Sequence, residues 1–378
     1  MRTSLPLVVC ALALAFSEPS SAGKKLLAAA AAGNKAEVEA LLDVNYATEL
    51  TDVNFADGEG FTALHVACAN DHKDTALLLL DKGATIDTQN KQGVTPLFLA
   101  IWKGHSVLAK TLILERSASL DAKTSDGTSL LVVAAASGEF DVVKTLLERG
   151  AHVEPPDDGL GGSLAKMLVA AAGCSKNVPG AEFVINYLLD ERGVAIDAPD
   201  GMGRRALHEA AARGHVALAQ LLISRGASVE EASSDGHRPL FEAAVNGQVD
   251  AINLLLDSGA AVDGRSTAPM SKGITALHSA VANGHTKAVT ALLGRHAIIQ
   301  TKDDRGRTAV HVASERGDLK LLRLLMKRVP PARRTAIVNA ADEQEFTPLA
   351  LAISGKHEPV VKYLKELNAQ IIGVKDEV

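Results

Sequence analysis

Along this chain, apolar residues gather in pairs of short bursts at helical spacing, each pair split by a glycine or polar break, and the pair returns at a near-constant interval. Gly58–Asn90 shows one full round. It holds a turn, an apolar burst opening at Thr62-Ala63-Leu64-His65, a break, a second burst around Leu78-Leu79, and a Gly83-Ala84 stop. Thr95 follows Thr62 by 33 positions and Thr308 follows Thr275 by the same step; a period of that size marks an array. Thr or Ser at the start of a round can cap a first helix, and Pro is tolerated in its first turn, where the missing N–H would be unpaired anyway. Small residues at Ala67, Ala100, Ala134, Ala210, Ala243, Ala280, Ala313 and Ala352 let neighbouring first helices approach closely. Second helices carry Leu pairs, such as Leu146-Leu147, Leu221-Leu222, Leu255-Leu256 and Leu292-Leu293, and Gly83, Gly150, Gly226 and Gly259 end them. No round can bury its apolar face alone, so each must stack on the next.

About ten rounds are predicted, and the ends break the pattern. Residues 1–23 carry Arg2, an apolar run from Leu5 to Phe16 and a small, polar close at Ser20-Ser21-Ala22, which predicts a secretory signal peptide. That run is shorter than the roughly 20 apolar residues that span a bilayer. Residues 24–57 read as a capping round with two helix signals and no turn signature, 58–156 as regular rounds, and 157–199 as a degenerate one with the insertion CSKNVPGAE. Rounds resume over 200–342 with smaller insertions after Asp263 and Lys327, and 343–378 gives a last capping round with a charged tail. The tail ends Lys375-Asp376-Glu377-Val378, one residue from the K-D-E-L retention address. With a cleaved leader, the expected location is the secretory pathway with retention in the lumen of the endoplasmic reticulum; with an uncleaved extension it is the cytoplasm.

Composition removes several functions. One Trp, three Tyr and eight Phe are too few for a large globular core but suit thin layers of Ala, Leu and Val. The net charge of −6 is dispersed, and no Lys/Arg block offers a nucleic-acid footprint. No nucleotide, hydrolase or kinase motif occurs, and Asp126 and Asp235 sit in Asp-Gly turns, so no enzyme and no cofactor are expected. Of the twelve His, nine fall at two recurring register positions: His65, His208, His278 and His311 at one, His72, His105, His215, His285 and His357 at the other. The remaining His152, His237 and His296 lack ligand spacing, so no metal site is expected. Cys68 and Cys174 lie in different rounds, too far apart for a disulfide.

Thr62-Ala63-Leu64-His65, Thr95-Pro96-Leu97-Phe98, Thr275-Ala276-Leu277-His278, Thr308-Ala309-Val310-His311 and Thr347-Pro348-Leu349 resemble the T-P-L-H signature of ankyrin repeats. The resemblance covers nearly everything from Lys24 onward. It implies an all-α ankyrin-repeat solenoid of stacked helix-turn-helix units with hairpin tips, and a non-catalytic module that binds a protein partner, as a monomer, in a groove lined by tips and first helices. Carried onto this sequence, the tip position gives Phe61, Val94, Arg204, His237 and Arg307, and the first-helix ends give Trp102, Lys103, Arg213, Val245 and Arg316. With Arg305 nearby, these predict an apolar anchor of outward-facing Phe61, Val94 and Trp102, then a basic stripe of Arg204, Arg213, Arg305, Arg307 and Arg316 suited to acidic side chains. The alternative is an inhibitory subunit that blocks an enzyme through an intruding loop around Val153–Pro179.

Overall fold

The computed structural model describes residues 22–43, 51–153, 162–269 and 271–370. Residues 1–21, within the expected leader of 1–23, and the terminal 375–378 lie outside them. The described residues are all-α, with 21 helices and two isolated bridges, Ala56 with Thr62 and Lys123 with Ser129. Two compact units are present, one of Met1–Glu154 with Cys174–Val184, the other of Pro155–Gly173 with Ile185–Val378.

In the first unit the helix pairs are α1 (Ala22–Ala31) and α2 (Lys35–Leu42), α3 (Ala63–Ala69) and α4 (Lys73–Asp81), α5 (Pro96–Lys103) and α6 (Ser106–Leu114), and α7 (Leu130–Ser137) and α8 (Phe140–Glu148). First helices pack on first helices, α1 on α3, α3 on α5 and α5 on α7, while second helices form their own row, α2 on α4 and α6 on α8. Helix α1 opens at Ala22, and Gly23 lies against the Phe55 ring so closely that a Cβ would collide with it.

In the second unit lie α9 (Ser163–Ala172), part of α10 (Val178–Asp190), then α11 (Ala206–Arg213) with α12 (Val216–Ser224) and α13 (Pro239–Val245) with α14 (Val249–Asp257). There follow α15 (Ala276–Ala282) with α16 (Thr286–Gly294), α17 (Ala309–Arg316) with α18 (Leu319–Lys327), the lone α19 (Pro331–Val338), and α20 (Pro348–Ser354) with α21 (Glu358–Glu366). The insertion after Lys327 thus forms a helix of its own, yet α20 still packs on α17 and α21 on α18, so the stack passes α19 by. Among the described residues the helices fall, in chain order, into ten successive twos and one extra, in line with about ten expected rounds.

The local chemistry repeats with the fold. Thr62, Thr95, Ser129, Thr308 and Thr347 stand at helix N-caps in extended conformation, as does Thr275. The eight register alanines are fully buried, and one leucine of each second-helix pair, Leu79, Leu146, Leu222, Leu255 and Leu292, is too. A turn carboxylate or amide organises each tip: Asp57 Oδ1 accepts the N–H of Glu59 and Phe61, and Asp303 Oδ1 those of Arg305 and Arg307. Tips are joined by single backbone bonds, Lys91 N to Glu59 O (3.0 Å) in the first unit and Glu343 N to Arg305 O (2.9 Å) in the second.

Candidate functional site

Two histidine registers tie one repeat to the next. At the first, His65 Nε2 donates to Val94 O (2.9 Å), His208 to His237 O (2.9 Å), His278 to Arg307 O (3.1 Å) and His311 to Ala340 O (3.0 Å), which fixes the Nε2–H tautomer. Burial disfavours the charged ring, so His65 and His208 are lowered to about 4, and His278 and His311 are lowered in the same sense. At the second register, a side chain caps the carbonyl seven residues past the N-cap of the preceding first helix, one of the acceptors a helix end leaves open. His105 donates to Ala69 O (3.1 Å), Gln248 to Ala212 O (3.4 Å), His285 to Val245 O (2.9 Å) and His357 to Glu315 O (2.9 Å).

Two repeats carry an acid at this register; in the second unit it is Asp318, and Arg316, two residues before it, caps Ala282 O (2.6 Å) instead. In the first unit the residue at the register that faces Trp102 O is Glu139, whose carboxylate accepts from the Ser106 hydroxyl. Lys176, 74 positions from Trp102, takes over: its Nζ donates to Trp102 O at 2.7 Å. The same ammonium lies 4.6 Å from the centroid of the indole, and Lys103 Nζ lies 4.8 Å from it. Trp102 is half-buried and Lys103 exposed. Partial burial and the charge of Lys103 lower the Lys176 ammonium, against the opposing influence of Cys174 and Glu139.

The segment that delivers Lys176 is held by backbone contacts. Asn177 Nδ2 donates to Gly138 O (2.9 Å), and Asn177 Oδ1 accepts from Gly180 N (3.1 Å). Gly138 has φ +70, where glycine is favoured, and a Cβ there would strike Asn177 O, while a Cβ on Gly180 would strike Gly138 O. Buried Cys174 adds its sulfur, accepting from Asn177 N at 3.5 Å. Residues 174–177, expected within an intruding loop, are therefore folded onto their own unit.

Two expected anchors are corrected. Phe61 is 6% exposed and Val94 9%, so neither faces outward. The Phe61 ring stands edge-on to His65 (5.8 Å, 86°), and Val94 supplies the carbonyl that His65 holds. Ala69, seven residues past the Thr62 cap, is likewise buried as α3 meets α5.

The basic stripe of the second unit is corrected as well, because its guanidiniums are largely neutralised. Arg204 and Arg213 both pair with Glu209, whose side chain is 11% exposed. Arg307 pairs with Asp303 and Glu315, each at 3.2 Å, and Arg316 caps Ala282 O and reaches Asp318 at 3.9 Å. Arg305 is exposed and makes no ion pair among the described residues. Val245 is half-buried, its carbonyl held by His285. His237 is fully engaged: it stacks on Phe241 (4.1 Å), its Nε2 meets Ser271 Oγ (2.9 Å) and its Nδ1 meets Glu242 (3.3 Å). Burial would raise the Glu242 carboxyl, but the hydrogen bond and charge of His237, with Arg204 beyond, outweigh it and hold the group below its ordinary range. Ser271 is also bonded to Ser266 (3.0 Å), so the Ser-His-Glu line clasps two neighbouring tips together.

Stacked helix pairs, tips bonded in series and histidines spanning most junctions within each unit define a repeat-array protein whose free surface is set by side chains at register positions. The pattern for "Ankyrin repeats (3 copies)" matches residues 7–90, 84–157, 167–266, 230–303 and 277–375, and the chain belongs to the ankyrin-repeat family. It is similar to the transient receptor potential cation channel subfamily A member 1 of Drosophila melanogaster, at 34% identity over 28% of this chain and 9% of the relative. It is also similar to the probable E3 ubiquitin-protein ligase XBOS33 of Oryza sativa subsp. japonica, at 31% identity over 54% of this chain and 38% of the relative. A third relative is the human neurogenic locus notch homolog protein 1, at 51% identity over 13% of this chain and 2% of the relative. The chain spans well under half the length of each. The ankyrin fold is generally non-catalytic and serves protein–protein interaction. No helix among the described residues is long and apolar enough to cross a membrane.

Proposed function

We propose that this chain is a non-catalytic protein-binding array whose partner docks on the first unit around Trp102, Lys103 and Lys176. The observation that carries the reading is the single tryptophan, half-buried at the end of a first helix and flanked by two lysines, rather than sunk in a core layer. Aromatic and cationic side chains that meet at a partly exposed point are the usual anchors of an interface. Asn177, Gly138 and Gly180 hold the second lysine in place before any partner arrives, which lowers the ordering cost of binding.

The charged leader with its apolar run, together with the KDEV end, supports action inside the secretory pathway. A tagged copy recovered in the cytosol with Met1–Ala22 attached would rule that location out. The docking reading is tested by proximity labelling from the full chain and from its Trp102→Ala variant. The expected result is the loss of one or more labelled partners with a stability change of less than about 1 kcal/mol, as suits a half-exposed side chain. An unchanged partner set would refute the reading, and a large loss of stability would make Trp102 a core residue.

A further inference from the structure

Resting on that docking surface, one feature of its chemistry goes further. Two ammonium groups lie within 5 Å of one indole centroid, and neither takes part in an ion pair among the described residues. Several other cations in the same unit pair with acids: Lys91 with Glu59 (3.6 Å), Lys110 with Asp141 (3.5 Å) and Arg116 with Asp81 (2.7 Å). The repeat frame does not require this charge. A neutral side chain caps the equivalent carbonyl at Ala69, Ala212, Val245 and Glu315, where His or Gln donates, and the cation that caps Ala282 O, Arg316, lies 3.9 Å from Asp318. A lysine at the end of α5 suits the negative pole of that helix, which accounts for Lys103 but not for a second cation delivered from a distant segment. Glu139, the nearest carboxylate to influence Lys176, is turned to the Ser106 hydroxyl.

Two like charges gathered on one ring form a poor arrangement for the free protein and a good one for an anion. Bringing a carboxylate between them would relieve the repulsion and add charge-assisted hydrogen bonds. The half-exposed indole beside them offers area to an apolar neighbour of that carboxylate. We propose that Trp102, Lys103 and Lys176 form a subsite for an acidic side chain, Asp or Glu, within an extended segment of the partner. The carboxylate bridges the two ammonium groups, and an adjacent apolar side chain lies on the indole.

Because Trp102 is the one tryptophan, its emission reports this site directly. The probes are a synthetic peptide of alternating Glu and Leu, its Gln-Leu counterpart and its phosphoserine-Leu counterpart, titrated into the full chain. The expected result is a saturable change in emission with the Glu peptide. Binding of the Gln peptide should be about tenfold weaker or worse, and binding of the Glu peptide should weaken steeply with salt. Lys103→Glu, at an exposed position with no structural bond, is expected to lower affinity about tenfold or more with an unchanged far-ultraviolet circular dichroism spectrum. Lys103→Arg should retain binding. Equal binding of the Gln peptide, no response to the Glu peptide, or an unaltered Lys103→Glu variant each overturns the proposal, and so does a response confined to the phosphoserine peptide. If the Glu peptide fails while Trp102→Ala still loses its labelled partners, the docking surface stands and the acidic subsite falls. If Trp102→Ala keeps every partner, both fall.

Discussion

The first unit gathers two lysines at Trp102 without a carboxylate to match them, whereas the second gathers Arg204 and Arg213 around one buried carboxylate, Glu209. The sequence holds more cations in the expected stripe of the second unit than near Trp102, yet the second unit uses them internally. Arg213 stands one helical turn from Glu209 on α11, close enough to pair by local geometry. Lys103 has no acid one turn back on α5, where the residue is Leu99. A basic row in sequence is therefore a free surface only where the helix that carries it lacks an acid of its own.

The sharpest way to separate the two regions is pH. His65 and His208 fall from the ordinary 6.5 to about 4 on folding, so the folded chain resists a proton that the unfolded chain accepts. Their stabilisation is fully present above about pH 6.5 and is lost as pH falls toward 4, on the order of 3 kcal/mol for each. The second unit holds three first-helix histidines lowered in this sense, His208, His278 and His311, against His65 alone in the first. Acidification is expected to strip hydrogen-exchange protection from α11–α18 before α3–α6. Simultaneous loss would mean these histidines do not set acid stability.

Next in size is Glu209→Ala. It leaves two guanidiniums without their partly buried partner and should cost about 3 kcal/mol, the range for breaking a buried pair. A urea midpoint lowered by less than a third of that would place the pair among ordinary surface bridges.

Smallest is Asn177→Ala, which removes the bond to Gly138 O and the one from Gly180 N. A local loss of about 1–2 kcal/mol is expected, seen as faster exchange at Gly180 and Ala181 and as a shift in Trp102 emission, with global unfolding little changed. If emission does not move, Lys176 is held at the indole by other means.

Much of the fold was legible in the sequence because the signals are local and repeat. The N-cap Thr residues, the buried alanines, the helix-stopping glycines and nine of the twelve His fall at fixed intervals, and each acts within one repeat or on the next. The candidate site was legible only in part. Trp102 stood out as the one tryptophan at a first-helix end, but Phe61 and Val94, placed beside it by the repeat register, are buried against His65. Lys176 was missed, since nothing in an irregular insertion announces where its side chain lands. A signal did exist: Glu139, an acid, occupies a register where His or Gln donates in other repeats, and the carbonyl of Trp102 takes its donor from elsewhere.

The sequence by itself determined the repeat, its period, the helix pair in each round and the layers of small and branched side chains between them. These follow from propensity, capping and burial patterns that operate over a few residues. Only the tertiary structure decided which charges are spent inside and which remain for a partner, because an ion pair or a carbonyl cap depends on where two distant side chains meet. The Trp102 carbonyl and the Lys176 ammonium, 74 positions apart and 2.7 Å from each other, are the case in point.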